Sequence, residues 1–135
     1  MKARICSVSL LVALLLSLSV GASAAGNIVP LYDSAARCTP VLSFSGRTSI
    51  CSGTIKAKES SARITAMMTL YRVNSNTSLS TVASWPAVTG TGSIYLSKTY
   101  SKAVSGNTYR LVLSGTVKDS TGTHSISSYA QAQCP

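Results

Sequence analysis

The sequence contains few of the side chains that most often carry catalytic chemistry. Its 135 residues include only three acids and one histidine, His124. Glycoside cleavage needs two carboxyl groups that flank one bond, and a calcium site needs several oxygen ligands, so the scarcity of acids disfavours both. No Gly-x-Ser-x-Gly motif supplies a nucleophile for His124 to activate. We therefore expect that the protein is not an enzyme.

Motifs for metals and cofactors are also missing. No Cys-x-x-Cys pair occurs, whereas a structural zinc site needs four Cys or His ligands at suitable spacing. The glycine-rich residues 89–92 lack the lysine that follows a phosphate-binding loop. The sequence therefore predicts no metal and no cofactor.

No apolar run is long enough for a dependable membrane span. The longest, residues 5–20, falls short of the roughly 20 residues that a span requires. It follows the basic Lys2 and Arg4 and precedes the small-x-small pattern Ala22-Ser23-Ala24. This layout predicts a secretory signal peptide over residues 1–24 and a secreted protein, with a retained membrane anchor as the alternative.

Positive charge exceeds negative charge throughout the remaining chain. Without Lys2 and Arg4, ten Lys and Arg stand against three acids, a net charge near +7. This balance favours an extracellular protein or an anionic cell-surface polymer as partner. The basic residues are scattered, with no run of five like charges, so solubility alone is the alternative explanation and nucleic acid is not the expected ligand.

Apolar and polar residues alternate along most of the chain. In residues 108–117, Tyr109, Leu111, Leu113 and Val117 share one parity, which is typical of a half-buried β-strand. Turn residues bound this segment on both sides. Six further segments have a comparable strand-like composition, namely 41–45, 49–57, 63–73, 79–85, 93–102 and 124–131. Residues 25–39 are interpreted as a leader segment, and residues 89–92 as a flexible joint.

Seven short strands at intervals of about ten residues are typical of an all-β sandwich. We predict a seven-stranded β-sandwich of the immunoglobulin or fibronectin type III kind over residues 40–135. A small closed barrel is the main alternative. Tyr109, at the start of the sixth strand, resembles the tyrosine corner of such sandwiches, and Trp85 is expected to pack in the core.

Three cysteines remain after signal cleavage: Cys38, Cys51 and Cys134. Export favours one disulfide and leaves one thiol over. In an immunoglobulin-like strand order, Cys51 and Cys134 meet at one end of the sandwich and Cys38 lies at the other. Cys51–Cys134 is therefore the first choice of pairing, and Cys38–Cys134 the second. A turn at Gly46 would place Cys51 opposite Leu42, which disfavours a Cys38–Cys51 bridge.

Candidate surface contacts come from exposed aromatic and basic positions on the predicted strands. Aromatic rings can stack on sugars or enter a partner's groove, and basic side chains bind anions. The candidates are Tyr71, Arg72, Tyr95, Lys98 and Arg110. For Tyr71 and Tyr95, cross-strand pairing on an exposed face is the alternative.

Several short stretches resemble a family of small exported proteins of unknown function from Gram-positive bacteria. They are residues 51–55, 68–72, Trp85 with 90–93, 96–100 and 105–110. The resemblance covers most of the chain after the signal peptide. It implies a short sandwich domain behind a signal peptide, and it implies no activity and no functional residues.

Three functional hypotheses follow. The first is a secreted, non-enzymatic binding module that acts at the cell exterior. The second is a cationic antimicrobial-type protein that acts on anionic envelopes. The third is a small secreted hydrolase that uses Cys38 or His124.

Overall fold

The computed structural model describes residues 28–29, 31–32 and 35–135. The predicted signal peptide lies outside these residues and stays a prediction. Of the predicted leader segment, residues 25–27, 30 and 33–34 also lie outside them. For residues 28–29 and 31–32 only the strand pairing is described.

The described chain is all-β, with ten strands and no helix in the described residues. Two are two-residue strands, β1 (Ile28–Val29) and β2 (Leu31–Tyr32). The other eight are β3 (Ala36–Ser45), β4 (Thr48–Ala57), β5 (Arg63–Val73), β6 (Leu79–Ser84), β7 (Val88–Thr91), β8 (Ser93–Tyr100), β9 (Thr108–Asp119) and β10 (Gly122–Gln133).

Apart from the two-residue strands β1 and β2, the described residues form eight strands, the seven predicted ones and one more, so the predicted count of seven is wrong by one. The additional strand, β7, lies where the sequence predicts a flexible joint. It pairs with the first residues of β5, from Arg63 opposite Thr91 to Ala66 opposite Val88. The sequence did not predict this strand, because its residues are mostly small and polar and show no apolar alternation. It is a strand because its backbone pairs with that of β5. The first predicted strand also begins earlier, at Ala36 instead of residue 41, since its ladder with β4 extends to Ala57.

Two antiparallel sheets pack face to face. The front sheet has the order β1-β10-β9-β5-β6, with β7 also paired to β5. The back sheet has the order β2-β3-β4-β8. Consecutive side chains of a strand point to opposite sides, so each sheet turns one set of residues to the core and the other outward.

The core lies between the sheets and follows the alternation read from the sequence. Tyr109, Leu111, Leu113 and Val117 on β9 are buried, as predicted. Leu70 and other β5 side chains pack against them. Each fully buried apolar side chain contributes roughly 1.5–3 kcal/mol.

Tyr109 joins the core to the loop before β9. Its ring contacts Phe44 with a centroid distance of 5.8 Å, and its hydroxyl accepts a hydrogen bond of 2.8 Å from the backbone N–H of Val104. Trp85 is half-buried and packs against the core, as predicted.

Each end of the sandwich is named after a glycine in its turn. The Gly46 end carries the turn between β3 and β4, where Gly46 has a φ of 60° that favours glycine. The Gly122 end carries the turn between β9 and β10, where Asp119 pairs with Gly122. Strand β9 runs from the Gly46 end to the Gly122 end.

Candidate anion-binding face

The outer surface of the front sheet brings polar and aromatic side chains into regular rows. In one row near the Gly46 end, Tyr71 on β5 lies opposite Arg110 on β9, which lies opposite Gln131 on β10. In the adjacent row Val112 lies opposite Tyr129. Because β9 is flanked by β5 and β10, Arg110 is surrounded by side chains from both neighbouring strands.

Arg110 is held by two contacts that leave the end of its side chain available. Its Cζ lies 4.3 Å from the centroid of the Tyr129 ring, a cation–π stack. Its Nε donates a 2.9 Å hydrogen bond to Oε1 of Gln131. Among the described residues, no hydrogen bond engages its terminal amino groups. The guanidinium is therefore fixed in place, with donors that suit a carboxylate or phosphate.

Tyr71 completes this arrangement from the opposite side. Directly opposed residues in an antiparallel pair have Cβ atoms about 4.5–5.5 Å apart, so Tyr71 and Arg110 are cross-strand neighbours on the outer face. The ring is half-buried. We call the group of Tyr71, Arg110, Tyr129 and Gln131 the Arg110 site.

The structure separates the other candidates predicted from sequence. Arg72 has the core-facing parity of β5, and its Nε donates a 3.3 Å hydrogen bond to Oδ1 of Asn74. Tyr95 and Lys98 lie on β8 at the edge of the back sheet, where Tyr95 is 69% exposed. Of the five candidates, only Tyr71 and Arg110 are brought together.

Sequence reasoning missed Tyr129 and Gln131. A signal was available in the turn residues 118–123, which predict a hairpin. Asp119 opposite Gly122 sets a register that places Tyr129 and Gln131 next to Arg110. Predicting these two neighbours requires the exact position of the turn, because a shift of one residue in the strand register moves every side chain to the other face.

A second polar cluster closes the Gly122 end. Oγ1 of Thr121 donates to Oδ1 of Asp119 at 2.6 Å, and Nε2 of His124 lies 3.2 Å from the same carboxylate oxygen. Hydrogen bonds from the Thr121 side chain and backbone, together with His124, lower the pKa of the Asp119 carboxyl. Thr121 Oγ1 also lies 2.8 Å from Nε2 of His124.

This cluster differs from a hydrolase triad in its geometry. A Ser-His-Asp triad uses the two different ring nitrogens of histidine, one toward the nucleophile and one toward the carboxylate. Here the hydroxyl and the carboxylate both lie at Nε2 of His124. Glu59 accepts hydrogen bonds from the backbone N–H and hydroxyl of Ser120, which ties the β4–β5 loop to the hairpin turn. The contacts are those of a hairpin cap.

The three cysteines are buried, and none of them is bonded to another. Burial raises the pKa of Cys38 to about 11, and burial also raises the pKa of Cys51. Both are therefore neutral thiols at physiological pH, and the thiolate is the nucleophilic form.

The positions of the cysteines agree with the register expected from the sequence. Cys51 pairs with Leu42, as predicted. The Sγ of Cys134 lies 3.7 Å from the carbonyl oxygen of Gly46, so Cys134 does lie at the Gly46 end. The Sγ of Cys38 contacts the carbonyl oxygen of Leu113 at 3.6 Å. The Cys51–Cys134 pairing stays a prediction.

Residues 35–135 contain no group of three or more His, Cys, Asp or Glu side chains that could hold a metal ion. In the same part of the chain, no helix has the length and hydropathy needed to cross a membrane. No protein-family model matches the sequence, and no curated protein matches it either.

Proposed function

We propose that this chain is a secreted, non-enzymatic binding domain of the immunoglobulin or fibronectin type III kind, and that its front sheet binds an anionic group of an extracellular or cell-surface partner. The observation that carries the binding proposal is the Arg110 site. A guanidinium stacked on a ring and tied through Nε to an amide has lost its conformational freedom before a ligand arrives.

Strand order supports the fold type. Immunoglobulin-like sandwiches place strands A, B and E in one sheet and C, F and G in the other. With β3 taken as A, β4 as B and β8 as E, the back sheet has the first set, and β5, β9 and β10 supply the second. The hydrogen bond from Val104 to the Tyr109 hydroxyl has the geometry of the tyrosine corner at the start of strand F.

Charge distribution supports an anionic partner. Glu59 and Asp119, the two acids among the described residues, both lie at the Gly122 end. The ten described basic residues divide evenly between the two ends, so the half toward the Gly46 end carries five positive charges and no described acid. Its basic residues are Arg47, Arg72, Lys98, Lys102 and Arg110. A surface of one sign attracts anions and accelerates their association at low ionic strength.

The test is binding of the purified chain to an array of anionic polysaccharides, cell-wall fractions and extracellular proteins. Arg110→Lys keeps the charge but removes the planar fork and the stack, so binding is expected to fall by about tenfold or more. Arg47→Lys is the matched control at an exposed turn of the same end, and it is expected to bind as the original chain does. The proposal would be refuted if Arg110→Lys bound an anionic partner with the same affinity as Arg47→Lys, or if the original chain bound no anionic partner.

A cationic antagonist of other cells is the second candidate, favoured by the same basic half. Leakage of dye from anionic vesicles that salt suppresses would support it. Binding at the Arg110 site without leakage would instead support a recognition domain.

A further inference from the structure

A second cationic position lies on the same outer face, at the other end. Arg63 on β5 is directly opposite Lys118 on β9, and both side chains are exposed. Their parity is that of Tyr71 and Arg110, so all four side chains leave the front sheet on the outer side. We call Arg63 and Lys118 the basic pair.

The basic pair is not engaged in an ion pair within the described residues, since neither Arg63 nor Lys118 forms one there. The nearby carboxylates of Glu59 and Asp119 accept hydrogen bonds from Ser120 and Thr121 instead. Like charges directly opposite each other in a sheet are destabilising, and an anion placed between them would relieve that repulsion.

The distance between the two cationic positions is set by the strand. Arg110 and Lys118 are eight residues apart on β9, which corresponds to roughly 27 Å along the strand at about 3.4 Å per residue. A small anion cannot reach both. A ligand that occupies both must be extended and must lie along β5 and β9.

The face between the two positions is uncharged and rich in hydroxyl groups. The rows contain Thr65, Thr116 and Ser125, then Met67, Ser114 and Ser127, then Thr69, Val112 and Tyr129. These side chains offer hydrogen bonds and a few apolar contacts without a charge. The ligand should therefore carry anionic groups at intervals, with neutral hydroxyl-bearing units between them.

We propose that the ligand is a linear polysaccharide with carboxylate groups, bound along β5 and β9 with one carboxylate at Arg110 and another between Arg63 and Lys118. This inference rests on the proposed function and names the class of ligand for the same face. Single-stranded or double-stranded nucleic acid carries closely spaced phosphates and is bound by a continuous basic groove, which this face lacks. Sugar hydroxyls match the Ser and Thr rows, and the tyrosine rings offer stacking surfaces.

Length dependence tests the inference. Hyaluronan, in which carboxylate-bearing and neutral sugar units alternate, and its purified oligomers would be titrated against the chain by calorimetry. Oligomers too short to span roughly 27 Å should bind weakly through Arg110 alone, and longer ones should bind at least about tenfold more tightly because the second contact is intramolecular.

Variants separate the two cationic positions. The double variant Arg63→Gln/Lys118→Gln should no longer bind long oligomers more tightly than short ones, while its affinity for short oligomers stays that of the original chain. Arg110→Lys should weaken short and long oligomers alike. Lys56→Gln/Lys58→Gln removes the same charge elsewhere at the Gly122 end and should leave the length dependence intact. Thermal unfolding of each variant checks that the fold is retained, and all four glutamine substitutions replace exposed side chains.

The outcomes distinguish this inference from the proposed function. Equal affinity for short and long oligomers, still dependent on Arg110, would overturn the extended ligand but leave the Arg110 site in place. Absence of binding at every length would count against both. Tighter binding of an oligonucleotide or an acidic peptide than of hyaluronan would overturn the ligand class.

Discussion

Tyr109 and Arg110 show how two neighbouring residues can serve opposite sides of one sheet. Tyr109 is 1% exposed and contacts Phe44 in the core, whereas Arg110 points outward and lies on Tyr129. Strand geometry alone accounts for this division. The position of the Arg110 site therefore depends on how firmly Tyr109 holds the start of β9.

Replacing Tyr109 with Phe should destabilise the protein by about 1 kcal/mol, because the ring is kept and one hydrogen bond to the Val104 N–H is lost. Urea unfolding measures the change. Tyr95→Phe is the matched control, since the Tyr95 side chain is 69% exposed and should tolerate the loss of its hydroxyl. Equal effects of the two substitutions would show that the Val104 bond contributes nothing.

At the scale of elements, the β9–β10 hairpin organises the candidate site. Its turn between Asp119 and Gly122 fixes the register that places Tyr129 and Gln131 around Arg110. The turn is closed by the contacts of Asp119 with Thr121 and His124. A change at one end of the hairpin is therefore linked to the geometry at the other through the pairing of the two strands.

The lowered pKa of Asp119 gives the hairpin a defined acid response. Since the folded-state pKa lies below the unfolded value of about 3.9, the stabilisation is present above that pH and is lost as the pH falls through the folded-state pKa. Asp119→Asn should therefore lose less unfolding free energy between pH 5 and pH 2 than the original chain. Denaturant unfolding across this range, about three pH units, measures it. Ser127→Ala, at an exposed position of β10, is the control and should keep the original acid response. An unchanged response in Asp119→Asn would show that Asp119 does not contribute to it.

At the scale of the whole molecule, the thiols report on the packing of the two sheets. Cys38, Cys51 and Cys134 are all buried, and Cys38 lies between β3 and β9 through its contact with Leu113. At Cys38 and Cys51, whose pKa values burial raises, reagents that need a thiolate find neither the charge nor the access that they require.

Peptide mapping without reductant, on chain recovered from the medium of an exporting host, should find Cys51 linked to Cys134 and Cys38 free. Closing that long loop would stabilise the fold by roughly 4 kcal/mol through the unfolded chain. Cys38 should react with iodoacetamide at neutral pH only after unfolding, because burial raises its pKa to about 11. A linkage that includes Cys38 would show the pairing to be wrong, and so would three free thiols.

The sequence by itself determined the strands that carry the core. Alternation in residues 108–117 predicted which side chains of β9 are buried. A strand with one face in solvent and the other in the core must alternate polar and apolar residues. Turn residues likewise predicted most of the boundaries. These features depend on local geometry and solvation, which each segment carries in its own residues.

Only the tertiary structure decided what those strands place side by side. β7 is a strand because the β5 backbone pairs with it, and the basic pair exists because Arg63 and Lys118 are opposed in register although they are far apart in sequence. The Arg110 site needs residues from three strands. Register across a sheet is fixed by packing and pairing between distant segments, and the alternation within one strand does not contain that information.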